Sequence, residues 1–140
     1  MAEFGWRASI AQIARDGPFS AFAGVDRTLI LLNGGPVSLA GPDWRTRLAQ
    51  GAAPLQFAGD DQVHASPEAP ATVLNIMTRR RDWRHRLGGG AGETLLVARE
   101  AVSVAGIALA PLDALWLPAG TADQMQIHPQ IIRISFEPAP

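Results

Sequence analysis

The stretch FGWRASIAQIARDGPFSAFAGVDRTLILLNG, residues 4–34, decides the fold class. Its first run, 6–13, alternates between two faces in the manner of a β-strand, with Arg7 and Ser9 on the same face. A second strand-like run, 27–32, is almost entirely apolar. Between the runs, DGPFS predicts a turn, because Asp, Gly and Pro each favour turn geometry. We therefore predict two paired strands that this turn holds in register.

Short apolar runs separated by turn residues continue along the chain. NGGP at 33–36 predicts a hairpin with its return strand at 37–39, followed by a loop over 40–54. SPEAP at 66–70 predicts a break, and no stretch keeps a convincing helical period with caps. Such frequent short strands predict an all-β sandwich or barrel. Further strands are predicted at 55–58, 62–64, 72–79, 93–99, 101–104, 107–109, 114–117 and 131–137.

A glycine-rich segment divides the chain into two predicted lobes. Four of the five residues in GGGAG, 88–92, are glycine, and such a segment cannot hold regular structure cheaply. We therefore predict a first lobe over 1–88 and a second, smaller lobe over 89–140.

Composition excludes several classes of partner. The formal net charge of −1 offers no general attraction to nucleic acid or to an anionic membrane, and no apolar run approaches the roughly 20 residues of a membrane span. The absence of cysteine excludes disulfides and thiolate metal sites and favours a cytoplasmic protein. The basic run RRRDWRHR, 79–86, is the strongest nucleic-acid feature, but a solvated strand end explains it better. We predict no nucleic-acid partner and no membrane partner.

Catalytic and metal-binding patterns are missing from the sequence. The three histidines, His64, His85 and His128, include no His-x-His pair, so they lack the close ligand spacing of a metal site built on one strand. There is also no Gly-x-Ser-x-Gly elbow. We predict no metal, no cofactor and no catalytic residue, and we favour a protein that is not an enzyme.

The opening stretch resembles the HutD/Ves family of small bicupin proteins. Later segments agree in order and spacing, namely PLQFAG at 54–59, LNIMTRR at 74–80 and LWL at 115–117. The resemblance implies cupin-like double-stranded β-barrels of the RmlC-like jelly-roll type. It also implies a role in histidine utilisation for the HutD branch or in stress response for the Ves branch. The ligand class that it suggests is a small carboxylate, such as a formylated or formiminated glutamate.

One departure from the family pattern concerns the N-terminus. Members usually begin with a further strand that carries a Trp-Lys-Asn-Gly-Gly-Gly-like motif, and this sequence starts just after the place of that strand. We therefore expect part of the family's pocket wall to be absent and an edge strand to be exposed.

A few polar residues on otherwise apolar strands are the candidates for a small-carboxylate site. An Arg fork with Ser and Asn donors suits a carboxylate. Three of them have an alternative: Arg27 pairs with an acid such as Asp26 or Asp16, Asn75 caps a bulge, and Arg7 is a surface residue. DGPFS is interpreted as architecture, with Phe19 and Phe22 capping the barrel end. The predicted ligand-binding residues are Arg7, Ser9, Asp26, Arg27, Asn75, Met77 and Arg79.

Three hypotheses follow for function. The first is a metal-free bicupin that binds a small carboxylate metabolite. The second is a metal-independent enzyme that acts on a formylated or formiminated amino-acid intermediate through Arg, Asn and Asp groups. The third is a structural or interaction protein without a ligand, for example a homodimer formed through an exposed sheet edge.

Overall fold

The computed structural model describes residues 5–122 and 125–140, so Phe4, the first residue of the opening stretch, lies outside it. The described residues form β-strands joined by turns and contain no α-helix, which confirms the prediction of an all-β protein. Within these ranges no helix is long and apolar enough to cross a membrane.

The chain divides into two compact units, and the first ends at Asp82. The predicted boundary, between residues 88 and 89, lies a few residues later, in the glycine-rich segment. The difference arises because the residues just before the glycines form a strand, Trp83–Leu87, that pairs with the last strand of the chain, Ile131–Pro138. The glycine-rich segment therefore connects two strands within the second unit.

The first unit consists of two four-stranded antiparallel sheets. In the order of the chain its strands are β1 (Trp6–Ile13), β2 (Gly17–Pro18), β3 (Val25–Gly34), β4 (Val37–Ala40), β5 (Arg45–Leu48), β6 (Leu55–Ala58), β7 (His64–Pro67) and β8 (Ala71–Arg79). The strand order is β1-β8-β3-β6 in one sheet and β2-β7-β4-β5 in the other. We call them the Arg27 sheet and the β4 sheet.

An apolar core joins the two sheets. Leu29, Leu31 and Val73 of the Arg27 sheet cluster with Val37 and Leu39 of the β4 sheet. All of these side chains are buried, so burial of their apolar surface stabilises the unit, at roughly 1.5–3 kcal/mol for each large side chain. Both sheets therefore turn one face toward this core.

Two predicted strand pairings are wrong. β1 and β3 are not neighbours, because β8 lies between them and pairs with both. β4 does not return along β3 either, because it pairs with β5 and β7 in the other sheet. The chain thus changes sheets at the predicted turns, as in a jelly roll. Local turn chemistry identifies where a strand ends but not which distant strand it will meet.

The second unit is a four-stranded sheet with a two-stranded ribbon. Its strands are β9 (Trp83–Leu87), β10 (Glu93–Ala98), β11 (Val102–Val104), β12 (Ile107–Leu109), β13 (Ala114–Leu117) and β14 (Ile131–Pro138). The sheet has the order β13-β10-β14-β9, and β11 pairs with β12. A core that includes Leu96, Ile131 and Leu109 joins the sheet to the ribbon.

The sequence analysis missed three strands and displaced a fourth. β2 lies within the predicted turn, β5 lies within the predicted loop over 40–54, and β9 begins within the basic run. The strand predicted at 62–64 is β7, which runs from His64 through Pro67 although SPEAP predicted a break. β5 and β7 both pair with β4. Pairing with a neighbouring strand overrides the weak local propensity of such short segments.

Candidate functional site

The candidate site is the core-facing side of the Arg27 sheet, where the register aligns side chains in rows. In the first row Arg7 of β1, Met77 of β8, Arg27 of β3 and Phe57 of β6 are successive partners. In the next row Asn75 of β8 lies between Ser9 and Leu29. Because side chains alternate along a strand, these residues share one face. The predicted convergence of Arg7, Ser9, Asn75 and Arg27 on one face is therefore present.

Arg27 is the central residue of this face. Its side chain is buried, with a residue exposure of 7%. Its Nη1 donates to the backbone oxygen of Ser20 at 3.2 Å, and its Nη2 donates to Oδ1 of Asn75 at 3.1 Å. Its Nε is buried and has no hydrogen-bond partner within residues 5–122 and 125–140. A guanidinium carries five N–H donors, so several remain available.

Three phenylalanine rings surround the guanidinium of Arg27. Its Cζ lies 5.4 Å from the ring centre of Phe19, 5.3 Å from that of Phe22 and 5.0 Å from that of Phe57. These distances are within the range of cation–π attraction. We refer to these three rings as the aromatic cage. It supplies apolar walls around a fixed positive charge.

Phe57 is held in place by a contact chain that reaches the loop after β6. Its ring packs against Trp44 with 5.7 Å between ring centres. The Nε1 of Trp44 donates to Oδ2 of Asp61 at 2.9 Å. One wall of the aromatic cage is therefore positioned by a packing contact between two half-buried rings and by a hydrogen bond.

The charge of Arg27 is not balanced by an acid in the described part of the chain. Its polar contacts there are a backbone carbonyl and a neutral amide, so the alternative of pairing with Asp16 or Asp26 is wrong for these residues. Burial lowers the pKa of the Arg27 guanidinium to about 10. The group is still charged near neutral pH, and a buried charge without a counterion is costly. The arrangement favours an anion as the missing partner.

Asp26 lies on the opposite face of β3. Its Oδ1 accepts a hydrogen bond from Nε of Arg80 at 2.8 Å, and Nη2 of Arg80 donates to Oδ1 of Asp60 at 3.1 Å. The backbone N–H of Gly24, followed by the side chain of Arg80, holds the pKa of Asp60 below its usual value. The structure therefore assigns Asp26 to an exposed ionic network and does not bring it together with Arg27.

The other predicted site residues are at different depths. Met77 is buried, with Arg7 and Arg27 as its register partners on either side. Ser9 is half-buried opposite Asn75. Arg7 is exposed, in agreement with its alternative interpretation as a surface residue. Arg79 is half-buried at the end of β8, one step along the same face. The inner site therefore consists of Arg27, Asn75 and Ser9.

Sequence reasoning missed the aromatic cage as part of the site. Phe19 and Phe22 were interpreted as barrel caps, and Phe57 was noted only as part of a family motif. The available signal was weak: two phenylalanines follow a Gly-Pro turn and precede a strand that begins with an arginine. Only the pairing of β6 with β3 shows that Phe57 lies beside Arg27.

The histidines do not supply the ligand set of a cupin metal site. His64 belongs to the first unit, whereas His85 and His128 belong to the second. Within residues 5–122 and 125–140 no group of three or more His, Cys, Asp or Glu side chains could hold a metal ion. The prediction of a metal-free protein stays a prediction, and no chemistry below depends on a metal.

The basic run is largely engaged in ion pairs. Arg80 contacts Asp26 and Asp60, Arg81 contacts Asp82 at 3.1 Å, and Arg86 lies 3.7 Å from Glu137. These pairs are exposed, so each contributes at most about 1 kcal/mol to stability. The charges of the run are thus compensated locally, which agrees with its interpretation as a solvated strand end.

The buried charge of Arg27 predicts an unusual alkaline pH dependence. Because burial lowers the folded pKa of Arg27 to about 10, well below its usual value, the unfolded state binds more protons between the two pKa values. Stability should therefore rise with pH in that window, by at most about 1.4 kcal/mol per pH unit. The chain contains no Lys, Tyr or Cys, so no other type of side chain titrates there. Urea unfolding followed by tryptophan fluorescence from about pH 9 to about pH 11.5 measures this rise.

Arg27→Gln is the control for the alkaline rise, because it removes the titrating group and keeps a polar side chain. The variant should show a flat profile over the same range. A flat profile for the unsubstituted protein, or the same rise in the variant, would contradict the assignment.

Comparisons with known proteins agree with this architecture. Protein Ves of Citrobacter koseri is 49% identical over 80 residues, which are 56% of this chain and 42% of the Ves protein. The match thus spans less than half of that relative.

Solved structures extend the likeness to nearly the whole chain. HutD from Pseudomonas fluorescens SBW25 superposes with a TM-score of 0.84 at 24% identity, over 98% of this chain and 81% of that chain. A cupin 2 conserved barrel domain protein from Leptotrichia buccalis superposes with a TM-score of 0.59 at 9% identity, over 97% of this chain and 84% of that chain. These likenesses confirm the cupin-like barrel fold.

The family model for HutD matches residues 1–132. The match covers nearly the whole chain and includes all of the strands that form the candidate site. The chain therefore belongs to the HutD family.

Proposed function

We propose that this protein binds a small carboxylate metabolite, with Arg27 as the group that receives the carboxylate. The observation that carries the proposal is the buried guanidinium of Arg27, whose Nε has no hydrogen-bond partner among the residues that the structure describes. In the described residues its charge meets only neutral acceptors. A carboxylate supplies both the missing negative charge and the missing acceptor, in the fork geometry that arginine favours.

The surroundings of Arg27 suit the remainder of such a ligand. Because Oδ1 of Asn75 accepts from Arg27, the two N–H donors of the same amide can serve a second oxygen on the ligand. Ser9, the register partner of Asn75, adds a hydroxyl. The aromatic cage supplies apolar contact for a short carbon chain. This combination of a few polar groups with apolar walls is typical of small-molecule sites.

The family suggests which carboxylates to test. The structure of HutD from Pseudomonas fluorescens is described for a formate condition, and formate is the smallest carboxylate. Formylated and formiminated glutamate extend it by a chain of the kind that the aromatic cage would contact. We propose that such a metabolite is sensed in the cytoplasm in the regulation of histidine utilisation or of a stress response. The proposal does not extend to catalysis, because Asp26 lies away from Arg27.

Calorimetric titration with formate, formylglutamate, formiminoglutamate and urocanate tests the proposal. We expect at least one of them to bind saturably and Arg27→Gln to weaken that binding at least about tenfold, because a charge-assisted hydrogen bond contributes roughly 1.5–3 kcal/mol. Arg15→Gln is the matched control, since Arg15 is exposed and lies outside the site. It should bind like the unsubstituted protein.

Two results would refute the proposal. One is a lack of response to all four compounds by folded protein, with circular dichroism as the check on folding. The other is equal affinity in the Arg27→Gln and Arg15→Gln variants.

A further inference from the structure

We propose a second ligand site in the first unit, on the outer face of the β4 sheet, for a small molecule that carries a phosphate group. The site is an open groove of about 400 Å³, within the volume range of small-molecule sites. It is lined by Ser38, Leu39, Ala40, Arg45, Thr46, His64 and Ser66. This site is distinct from the one around Arg27 and does not depend on the proposed carboxylate function.

The groove exists because β4 carries small side chains on its outer face. Ala40 is the register partner of Arg45 on one side and of His64 on the other. Neighbouring strands are about 4.8 Å apart, so the two flanking backbones are separated by about 10 Å across a single methyl group. The short side chain of Ala40 forms the floor of the groove, and the long polar side chains of Arg45 and His64 form its two walls. A small anion above Ala40 can therefore receive donors from two opposite sides.

The next position along the sheet continues the groove. Ser38 is the register partner of Ser66 on one side and of Arg47 on the other. The inner face of the same strand carries Leu39, which is 1% exposed and belongs to the core. Since side chains alternate, the groove and the core lie on opposite faces of the sheet.

The charges at the groove favour an anion. Arg45 is exposed and forms no ion pair with any residue that the structure describes, and the lining contains no carboxylate. Arg47 differs, because its Nη2 lies 2.9 Å from Oε2 of Glu68. Two arginines thus lie on one strand and one face, one compensated and one open. The open one borders the groove.

The donors around the groove match a phosphate better than a carboxylate. Arg45 offers a guanidinium fork, His64 offers a ring nitrogen, and Ser38 and Ser66 offer hydroxyl groups. A phosphate has several acceptor oxygens directed to different sides, so it can use both walls and the serines together. A carboxylate has two oxygens in one plane and would leave part of this set without an acceptor.

The test is a titration with inorganic phosphate, followed by proton–nitrogen NMR spectra at constant ionic strength kept with sodium chloride. We expect saturable shifts concentrated at residues 38–46 and 64–66. Arg45→Gln should weaken binding at least tenfold, which corresponds to about 1.4 kcal/mol. Arg47→Gln removes the same charge from the same strand and face, and it should change the affinity by less than about twofold because its partner is Glu68.

Acetate and sugar phosphates complete the experiment. At the groove residues 38–46 and 64–66, acetate should produce shifts only at much higher concentration, and a phosphate monoester should bind there at least as well as inorganic phosphate. The proposal is overturned if phosphate gives no saturable shift, if both arginine variants lose affinity equally, or if acetate binds at the groove residues as tightly as phosphate. Shifts centred on Arg27 in place of the groove would overturn it as well.

Discussion

Replacing Asn75 by aspartate is expected to raise the free energy of unfolding of the unliganded protein by about 1–3 kcal/mol and to abolish carboxylate binding. Oδ1 of Asn75 already accepts from Nη2 of Arg27 at 3.1 Å, and aspartate has nearly the same shape. The substitution would therefore place a negative charge next to the buried guanidinium without a change in packing. The internal carboxylate would then occupy the position that the proposed ligand takes.

The sign of this effect follows from the cost of a lone buried charge. Leaving one partner of a buried ion pair alone destabilises proteins by about 3–5 kcal/mol, and Arg27 has such an environment in the described part of the chain. Supplying the partner should recover part of that cost. Because the arginine would lower the pKa of the new carboxyl, the added stability should be present above the usual aspartate pKa and lost as the pH falls through the lowered value.

Asn75→Leu is the matched control for this experiment. It removes the acceptor without adding a charge, so it should lower stability where Asn75→Asp raises it. Urea unfolding measures both variants, and calorimetry with the best carboxylate measures binding. If Asn75→Asp destabilises the protein as Asn75→Leu does, or still binds the ligand with unchanged affinity, then Arg27 does not act as an uncompensated anion receptor.

Strand positions could be predicted from the sequence wherever a strand carries its own signal. The prediction of 6–13 matches β1, and those of 55–58, 107–109 and 114–117 match β6, β12 and β13. In these segments apolar runs bounded by turn residues suffice, because period-two alternation and turn chemistry are local properties. The resemblance of the motifs to the HutD/Ves family then supplied the cupin-like fold, which the pattern alone left as a sandwich or a barrel.

Strand partners could not be predicted, because pairing is not local. The insertion of β8 between β1 and β3 joins segments that are distant in the sequence, and the turn at 16–20 contains no information about it. The candidate site depends on the same pairings. Asn75 reaches Arg27 only through β8, and Phe57 reaches it only through β6.

Alternation along β3 also separates two residues that the sequence places together. Asp26 and Arg27 are neighbours in the chain and were grouped in one site, yet they project from opposite faces of the strand. Asp26 meets Arg80 on the outside, whereas Arg27 meets Asn75 and the aromatic cage within. A charged pair at adjacent positions of a strand is therefore a poor guide to a shared site.

Replacing Gly59 by alanine is expected to destabilise the protein by about 2–3 kcal/mol and to weaken carboxylate binding at least tenfold. A Cβ at this position would lie 2.7 Å from the backbone oxygen of Phe22, 2.9 Å from that of Val25 and 3.3 Å from Cδ of Arg27. Two of these three atoms belong to the backbone and cannot swing aside. Either the loop that carries Phe22 or the start of β3 must move.

The hydrogen bonds of Gly59 show why that movement should reach the site. Its N–H donates to the Val25 oxygen at 2.6 Å, and its oxygen accepts from the N–H of Phe22 at 2.7 Å. These bonds hold one ring of the aromatic cage against the strand that carries Arg27. Their disruption should lower both stability and affinity, whereas a purely structural glycine would lower stability and leave the affinity of the folded fraction unchanged.

Gly17→Ala is the control for Gly59→Ala, because it shows the general effect on stability and affinity of adding a methyl group to a glycine. In the described part of the chain, no heavy atom lies within 4 Å of a Cβ at Gly17. The stability of the Gly17→Ala variant should therefore change by no more than about 0.5 kcal/mol, and its affinity should not change. Urea unfolding and calorimetry of both variants give the comparison. Equal behaviour of the two variants would contradict the close-packing role of Gly59, and a loss of stability without a loss of affinity would separate the aromatic cage from the ligand. A joint loss in Gly59→Ala alone would tie the geometry of the loop to recognition by Arg27.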